Sequence, residues 1–362
     1  CRVLVVEPSN DQHVAEDILA ATTASDECQS ECTRSKYLPS TPIASSLFAM
    51  VLLLRKNQLS DLSCETVMAF CNMVLCLTEE DFRFPKSVAT YDTWCELAQF
   101  ASASIKQYAS CTTCHAIHPF DTAEEKQTIQ QQPKCLDEGL FLNSPACQTS
   151  LLARNQYGTL APVRTFFSNS LINTLKTFFM RDEFADRIQQ WKQRQVLPDT
   201  LSDIYDGDVW KTFKLKKTDT QPFVLENDYN LLLTLNCDWF QAYKDSYSIG
   251  VIYLTVQNLP REVGNLRANT ILVCLINGPK EPMTHEMNHY LRPLVKELLV
   301  LMNGVKMDTK KHGTQTVKAA LSLCMMDLPA QRKVAGFTSF NSLNACHKCK
   351  KQFASIIQGD KA

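Results

Sequence analysis

Two aspartates, a set of cysteines and one histidine-rich stretch supply the side chains able to do chemistry in this sequence. Asp238 closes the apolar run LLLTLNCD, and Asp327 closes LSLCMMD. A strand buried on both faces reads as a short continuous apolar run, and a carboxylate at its end is costly unless paired or bound to a cation. Hard divalent ions such as Mg2+ take one or two carboxylates and leave the rest of their shell to water and phosphate. That is the equipment of phosphoryl-transfer nucleases. The plainer alternative is that each aspartate starts the turn after its strand.

A second chemistry is metal binding by sulfur. ASCTTCHAIHPFD places Cys111 and Cys114 in a CxxC spacing, with Cys135 and Cys147 downstream. Structural zinc takes four tetrahedral sulfur or nitrogen ligands, and a CxxC turn supplies two of them from one tight knuckle. Cys135 and Cys147 would complete the set, and His115 or His118 could replace one of them. Scattered core cysteines or a redox pair are the alternatives. His285, Glu286 and His289 spell HEMNH, a literal match to the HExxH zinc-protease motif. That chemistry needs both histidines one turn apart on a stable helix. Pro282 and Pro293 flank the stretch closely, so it reads as a helix start at best. Glu297 and His312 are the only third ligands to propose, and neither is convincing.

These residues need elements to hold them. LLLTLNCDWF, SIGVIYLTVQ and NTILVCLING are β-rich runs separated by turn residues and predict a meander. A helix follows from about Pro293 through PLVKELLVLMN, and then the strand ending at Asp327. This succession is similar to that of an RNase H-like core, with one acid on the first strand and the other on the fourth. Upstream, helical spacing over 43–110 predicts a small helical domain, in which SCETVMAFCNMVLCL turns Val67, Phe70, Cys71, Val74 and Leu75 to one side. Cys64, Cys71 and Cys76 read there as packing residues. The stretch from about Val163 to Gln195 predicts a helix stopped by Pro198. Asp203, Asp206, Gly207 and Asp208 read as a turn.

Composition bounds the rest. The chain has 362 residues, 45% hydrophobic and 21% charged, enough for roughly two or three domains. A formal net charge of −1 leaves nucleic-acid contact to local patches. Candidates are Lys211, Lys214, Lys216 and Lys217, then Lys306, Lys310 and Lys311, then Lys348, Lys350 and Lys351. The longest apolar stretch, SLFAMVLLL, is about half what a bilayer needs. The 16 cysteines, without a secretory signal, point to free thiols and metal ligands. Because the first residue is Cys1, targeting cannot be read there.

The stretches LNCDWFQAYKDSYSIGVIYLTVQNLPR, ILVCLINGPKEP, YLRPLVKELL and MMDLPAQRKVAGF, ending in ACHKC, resemble the transposases of CACTA (En/Spm-type) DNA elements, in their fungal and animal-like branch. CTTCHAIHP and DIYDGDVW are similar to that family's zinc-knuckle and linker motifs. The resemblance runs from about Ser45 to the end, and with the reading of the residues it gives a multidomain α+β chain: a flexible segment over 1–42, a helical domain over 43–110, a zinc-ribbon-like module over 111–150, a helical linker over 151–222, and an incomplete RNase H-like core over 223–362. It implies that Asp238 and Asp327 are the first two acids of a DDE site holding Mg2+ or Mn2+. Cys346 and Cys349 would be part of a second zinc knuckle. The expected partners are transposon ends and target DNA, with a homo-oligomer on DNA, no membrane, and nuclear residence. A third acid should follow the second knuckle. Asp360 is the sole acidic residue after Asp327 and has no strand or helix pattern around it, so the chain as it stands is expected to be inactive. A non-cutting DNA- or protein-binding module derived from such a transposase is the alternative.

Overall fold

The computed structural model describes residues 38–56, 59–95, 104–139, 145–155, 158–195, 200–241, 247–338, 342–344, 346 and 349. They form a mixed α+β structure that divides between Ser104 and Ile105 into two compact units.

In the smaller unit, helices α1 (Pro42–Lys56), α2 (Asp61–Leu77) and α3 (Val88–Trp94) enclose one core. Ser60 and Ser87 cap α2 and α3 by accepting backbone N–H groups three residues on. The buried stripe of α2 is Cys64, Met68, Cys71 and Leu75, the four-three-four spacing of a single helical face. Cys64 and Cys71 therefore do pack in the core, whereas Cys76 is exposed. Phe70 also points outward, because its neighbour Cys71 occupies the stripe and adjacent helical positions diverge by about 100°. Tyr91 is fully buried, and its hydroxyl donates to the Phe48 carbonyl at 2.8 Å.

The larger unit is built on one sheet. Its chain runs β1 (Ile105–Ser110), β2 (Ile117–Pro119), α4 (Ala123–Gln131), β3 (Leu152–Arg154), β4 (Leu160–Pro162), β5 (Thr165–Asn169) and α5 (Leu171–Phe179). Then follow β6 (Leu231–Gln241), β7 (Ser248–Val256), β8 (Thr270–Ile276), α6 (Met287–Asn303), β9 (Val305–Thr309), β10 (Gly313–Val317), β11 (Ala319–Met325) and α7 (Leu328–Val334). The seven-stranded sheet has the order β11-β6-β7-β8-β5-β1-β2. β6, β7 and β8 form the expected antiparallel meander, and β11 returns parallel to β6 after α6. Such a return requires a long connection, which α6 and the β9-β10 hairpin provide.

β6 alternates cleanly. Leu231, Leu233, Leu235 and Cys237 face α5 and α6 in the main core, while Leu232 faces the other way, against Tyr205, Trp210, Phe223 and Val224. Two helices thus cover one face, and the 205–224 segment covers part of the other.

Three expectations change. The predicted helix over 163–195 is instead β5, then α5, then short helical turns. Thr165–Asn169 alternates burial with period two, Phe166 inside and Phe167 exposed, and Ser170 then caps α5. The helix expected from Pro293 begins at Met287, with Pro293 inside it. Finally, β1 and β5 belong to the same sheet as the meander, so the sheet runs across the expected boundaries at 110, 150 and 222.

Candidate metal centres

The CxxC knuckle is the tip of a hairpin. Ser110 of β1 pairs with Ile117 of β2, and the Cys111 N–H donates to the Ala116 carbonyl at 2.8 Å across the loop. His115 takes φ of 61°, the left-handed conformation that lets so short a loop close. After α4, the chain brings in Cys135 and Cys147 through three backbone bonds, Cys135 N–H to Thr149, Cys147 N–H to Asp137 and Gln148 N–H to Cys135. The four sulfurs of Cys111, Cys114, Cys135 and Cys147 all lie within 4.8 Å of one another. Cys111 and Cys147 are 3.7 Å apart, Cys114 and Cys135 3.5 Å. Zn–S bonds of about 2.3 Å in a tetrahedron separate sulfurs by about 3.8 Å, so this set could hold a structural metal such as zinc.

The thiols differ in acidity. Burial pushes Cys135 up to about 11 and raises Cys114 further. Burial also acts upward on Cys147, but hydrogen bonds from Thr149 and the neighbouring thiols outweigh it and bring it to about 7. His118 Nε2 lies 3.4 Å from Cys135 Sγ, beside the cluster. His115 turns away, and its Nδ1 meets the Tyr290 hydroxyl at 2.8 Å.

That contact explains the HEMNH stretch. His285 and Glu286 precede the first turn of α6, so the two histidines do not project from successive turns of one helix. Glu286 is buried, accepts the Met283 N–H at 2.6 Å and lies 3.7 Å from His115 Nε2. His289 approaches Asp137 at 3.9 Å, and Tyr290 also meets Ser110 Oγ at 3.2 Å. The segment fastens α6 to the cysteine cluster. Burial lowers His115 and His289 below the usual imidazole range, which favours their neutral forms. Glu297 instead caps α5: its carboxylate accepts from Ser170 Oγ at 2.7 Å and from the N–H groups of Leu171 and Ile172 at 2.5 and 3.2 Å. His312 binds Asp186 at 2.9 Å.

The aspartates stand just past the end of the parallel ladder. Met325 pairs with Asn236, and two residues on in each chain stand Asp327 and Asp238. Asp327 still has extended backbone angles, and adjacent strands lie about 4.8 Å apart, so the register sets the two residues side by side. Both are exposed, so neither bears the burial cost that strand-end carboxylates would carry. β6 continues through Gln241, past Asp238. Asp238 Oδ1 accepts its neighbour's N–H from Trp239 at 2.8 Å, and Asp327 Oδ1 caps α7 through the Ala330 N–H at 2.8 Å. Each keeps one carboxylate oxygen outside these bonds, and neither has an ion-pair partner among the described residues.

Lys333, Glu281 and Trp239, which carry no sequence motif of their own, form a linked group at the same end of β6. Lys333 of α7 pairs with Glu281 at 2.5 Å and stands 4.5 Å above the Trp239 ring. Trp239 in turn lies across Gly250, where an added Cβ would come within 2.8 Å of Nε1. Burial, then Lys333, Asp238, Asp327 and Glu281, act on the Cys237 thiol behind the strand, which is pushed up to about 12. Only the DLPAQRK run hinted at Lys333.

Cys346 and Cys349 have their sulfurs 3.3 Å apart, a two-thiol pair. Asp360, Lys348, Lys350 and Lys351 lie outside the described residues. Lys211, Lys214, Lys216 and Lys217 are exposed on one segment, and Lys306, Lys310 and Lys311 on or beside the β9-β10 hairpin, where Lys311 pairs with Asp186.

Among helices of the described residues, none is long and apolar enough to cross a membrane. No curated protein matches the chain. Residues 199–361 match the family model described as transposase family tnp2, and this match supports placing that part of the chain in a transposase family.

Proposed function

We propose that the chain is, or derives from, a transposase of the CACTA type, acting in cut-and-paste transposition through an RNase H-like DDE site in which Asp238 and Asp327 are two of the acids. The observation that carries this reading is the parallel β11-β6 register, which ends at Met325 opposite Asn236 and so puts Asp327, two residues past β11, level with Asp238 on β6. The order β11-β6-β7-β8, an antiparallel meander with a parallel fourth strand beside the first, supports the RNase H-like reading. The family match supports transposition as the reaction class and DNA as partner.

The fit to a divalent ion rests on donor chemistry. Two hard carboxylates side by side, each with an oxygen outside the local hydrogen bonds, suit Mg2+ or Mn2+ with water and phosphate completing the shell. When bound, such ions supply an activated water or 3′-hydroxyl and charge neutralisation at the scissile phosphate. The chain's own contribution is placement. Asp238 is fixed by β-ladder pairing to Val251, Asp327 by its capping role on α7, and Lys333 is held by Glu281 and the Trp239 ring. The reading extends to transposon ends and target DNA as substrates, to a homo-oligomer on DNA, and to the nucleus.

Fe2+ in place of Mg2+, with ascorbate and peroxide, should cut the backbone beside residues 238 and 327, and Asp238→Asn should remove both cuts. Cuts that persist in Asp238→Asn would take the pair out of the mechanism. A protein that binds DNA but no divalent ion here would fit the non-cutting module instead. The reading keeps the expectation that the third acid is missing from this chain; in a nicking assay on element ends, Asp238→Asn should abolish any Mg2+-dependent cleavage that is found.

A further inference from the structure

On the sheet face that carries Asp238, about 20 Å back along β6 at about 3.3 Å per residue, Leu232 packs against an aromatic cluster that the proposed chemistry does not use. The cluster lines a cavity of about 320 Å³, bounded by Trp191, Tyr205, Trp210 and Val224. That volume is at the small end for ligand sites, the scale of one flat ring system with its substituents.

Three features define what fits. The first is aromatic: Trp191 and Tyr205 stack at 6.0 Å, Trp210 meets Trp191 edge-on at 5.0 Å, and Trp191 is part-exposed, with the Lys192 ammonium 5.8 Å over its ring. The second is an unmet donor. Trp210 is 4% exposed, and its indole N–H is buried with no acceptor among the described residues. Such a group carries a desolvation cost until an acceptor reaches it. The third is charge. Lys192, Arg194 and Lys211 line the same cavity. Arg194 is held by both oxygens of Asp206 at 2.8 Å and Lys192 pairs with Asp228, while Lys211 has no ion pair among the described residues. The exposed Lys214, Lys216 and Lys217 continue the basic run.

A part-exposed indole, a buried N–H seeking an acceptor and a cationic rim match a nucleotide: base on the aromatic, ring nitrogen or carbonyl on the donor, phosphate on the lysines. An aromatic cage for a methylated lysine would need anionic walls, and here the acids are already engaged by Arg194 and Lys192. We propose that this cavity takes an unpaired nucleobase of a DNA strand, stacked on Trp191 and accepting from Trp210, with the flanking phosphates on Lys211 and the 214–217 lysines. The site stands apart from the carboxylate pair and does not depend on it.

The test is titration of the whole chain, in EDTA, with single-stranded oligothymidylate, read by tryptophan fluorescence and by affinity. Binding should quench the fluorescence. Trp191→Ala should weaken affinity between about five- and about 150-fold, with Trp191→Phe restoring most of it. Lys211→Ala should lower the salt slope by about 0.7. Because the titration is run in EDTA, it needs no ion at the carboxylate pair, which separates a failure here from a failure of the carboxylate reading. Equal affinity of Trp191→Ala with an unaltered thermal transition, equal binding of an oligonucleotide made abasic throughout, or a trimethyl-lysine peptide displacing the strand would each overturn the proposal. If Trp191→Ala unfolds, Trp191→Phe and the abasic strand decide the matter alone.

Discussion

Replacing Cys135 by serine removes one of four sulfurs from the cluster formed with Cys111, Cys114 and Cys147. The sulfurs stand 3.5 and 3.7 Å apart in the two closest pairs, within a few tenths of an ångström of the about 3.8 Å a tetrahedral zinc imposes. Assembling the site therefore needs little movement, and most of the binding free energy should be retained. Structural zinc is worth about 10–16 kcal/mol in small sites. One ligand in four gives about 2.5–4 kcal/mol, or roughly two to three orders of magnitude in affinity. The assay is zinc stoichiometry after dialysis against a competing chelator, with thermal unfolding in parallel. Wild type should retain one zinc per four-cysteine cluster, and Cys135→Ser should lose it to a chelator that wild type withstands. Because burial keeps Cys114 and Cys135 protonated at neutral pH, binding must release protons, and zinc affinity should climb as pH rises. His285→Ala should leave zinc in place. Zinc held equally by Cys135→Ser, or lost in His285→Ala, would refute the assignment.

Two further substitutions probe the scaffold. Burial raises the Glu297 carboxyl above its ordinary range near 4.5, so folding favours its protonated form. The resulting stability is complete below that range and is lost as pH rises through the raised value. Glu297→Gln should flatten that part of the stability–pH curve relative to wild type, whereas Glu297→Ala, which orphans the Leu171 and Ile172 N–H groups, should cost about 2–5 kcal/mol by urea unfolding; parallel curves for wild type and Gln would contradict this. Gly250→Ala would place a Cβ 2.8 Å from Trp239 Nε1 and 3.3 Å from Ile276 Cβ, and should cost about 1–3 kcal/mol and shift Trp239 fluorescence. An unchanged spectrum and midpoint would show that the indole lies elsewhere.

The strands that bear the aspartates were legible because buried strands advertise themselves as short apolar runs, and Leu231–Leu235 and Leu321–Met326 are such runs. Their lateral alignment was not, since register depends on the pairing partner and no single run encodes it. The CxxC knuckle announced itself by spacing, whereas Cys135 and Cys147 come in through loops whose backbone bonds leave no periodic trace. Thr165–Asn169 was hidden because an aromatic pair suits both a strand and the adjoining amphipathic helix. The β9-β10 hairpin escaped notice because VKMDT and GTQTV are polar, and its lysines read as a charged patch. The cavity beside Trp191 gathers residues from 191 to 225 with no shared motif.

The pairing of β5 with β8 has a consequence for where this chain can be divided. The family-matched stretch begins at residue 199, yet the outer edge of its meander is covered by a strand from 165–169, through Phe167 opposite Leu275 and Ser168 opposite Cys274. A fragment starting at 199 would bare that edge, with Leu272 and Leu275 already 45% and 43% exposed beside it. Open, apolar edges recruit other strands, so the fragment should self-associate where the longer chain does not. Any truncation that parts 105–169 from 231–325 would leave an adhesive remnant, so the segment that carries the cysteine cluster also shields the sheet that positions the two aspartates.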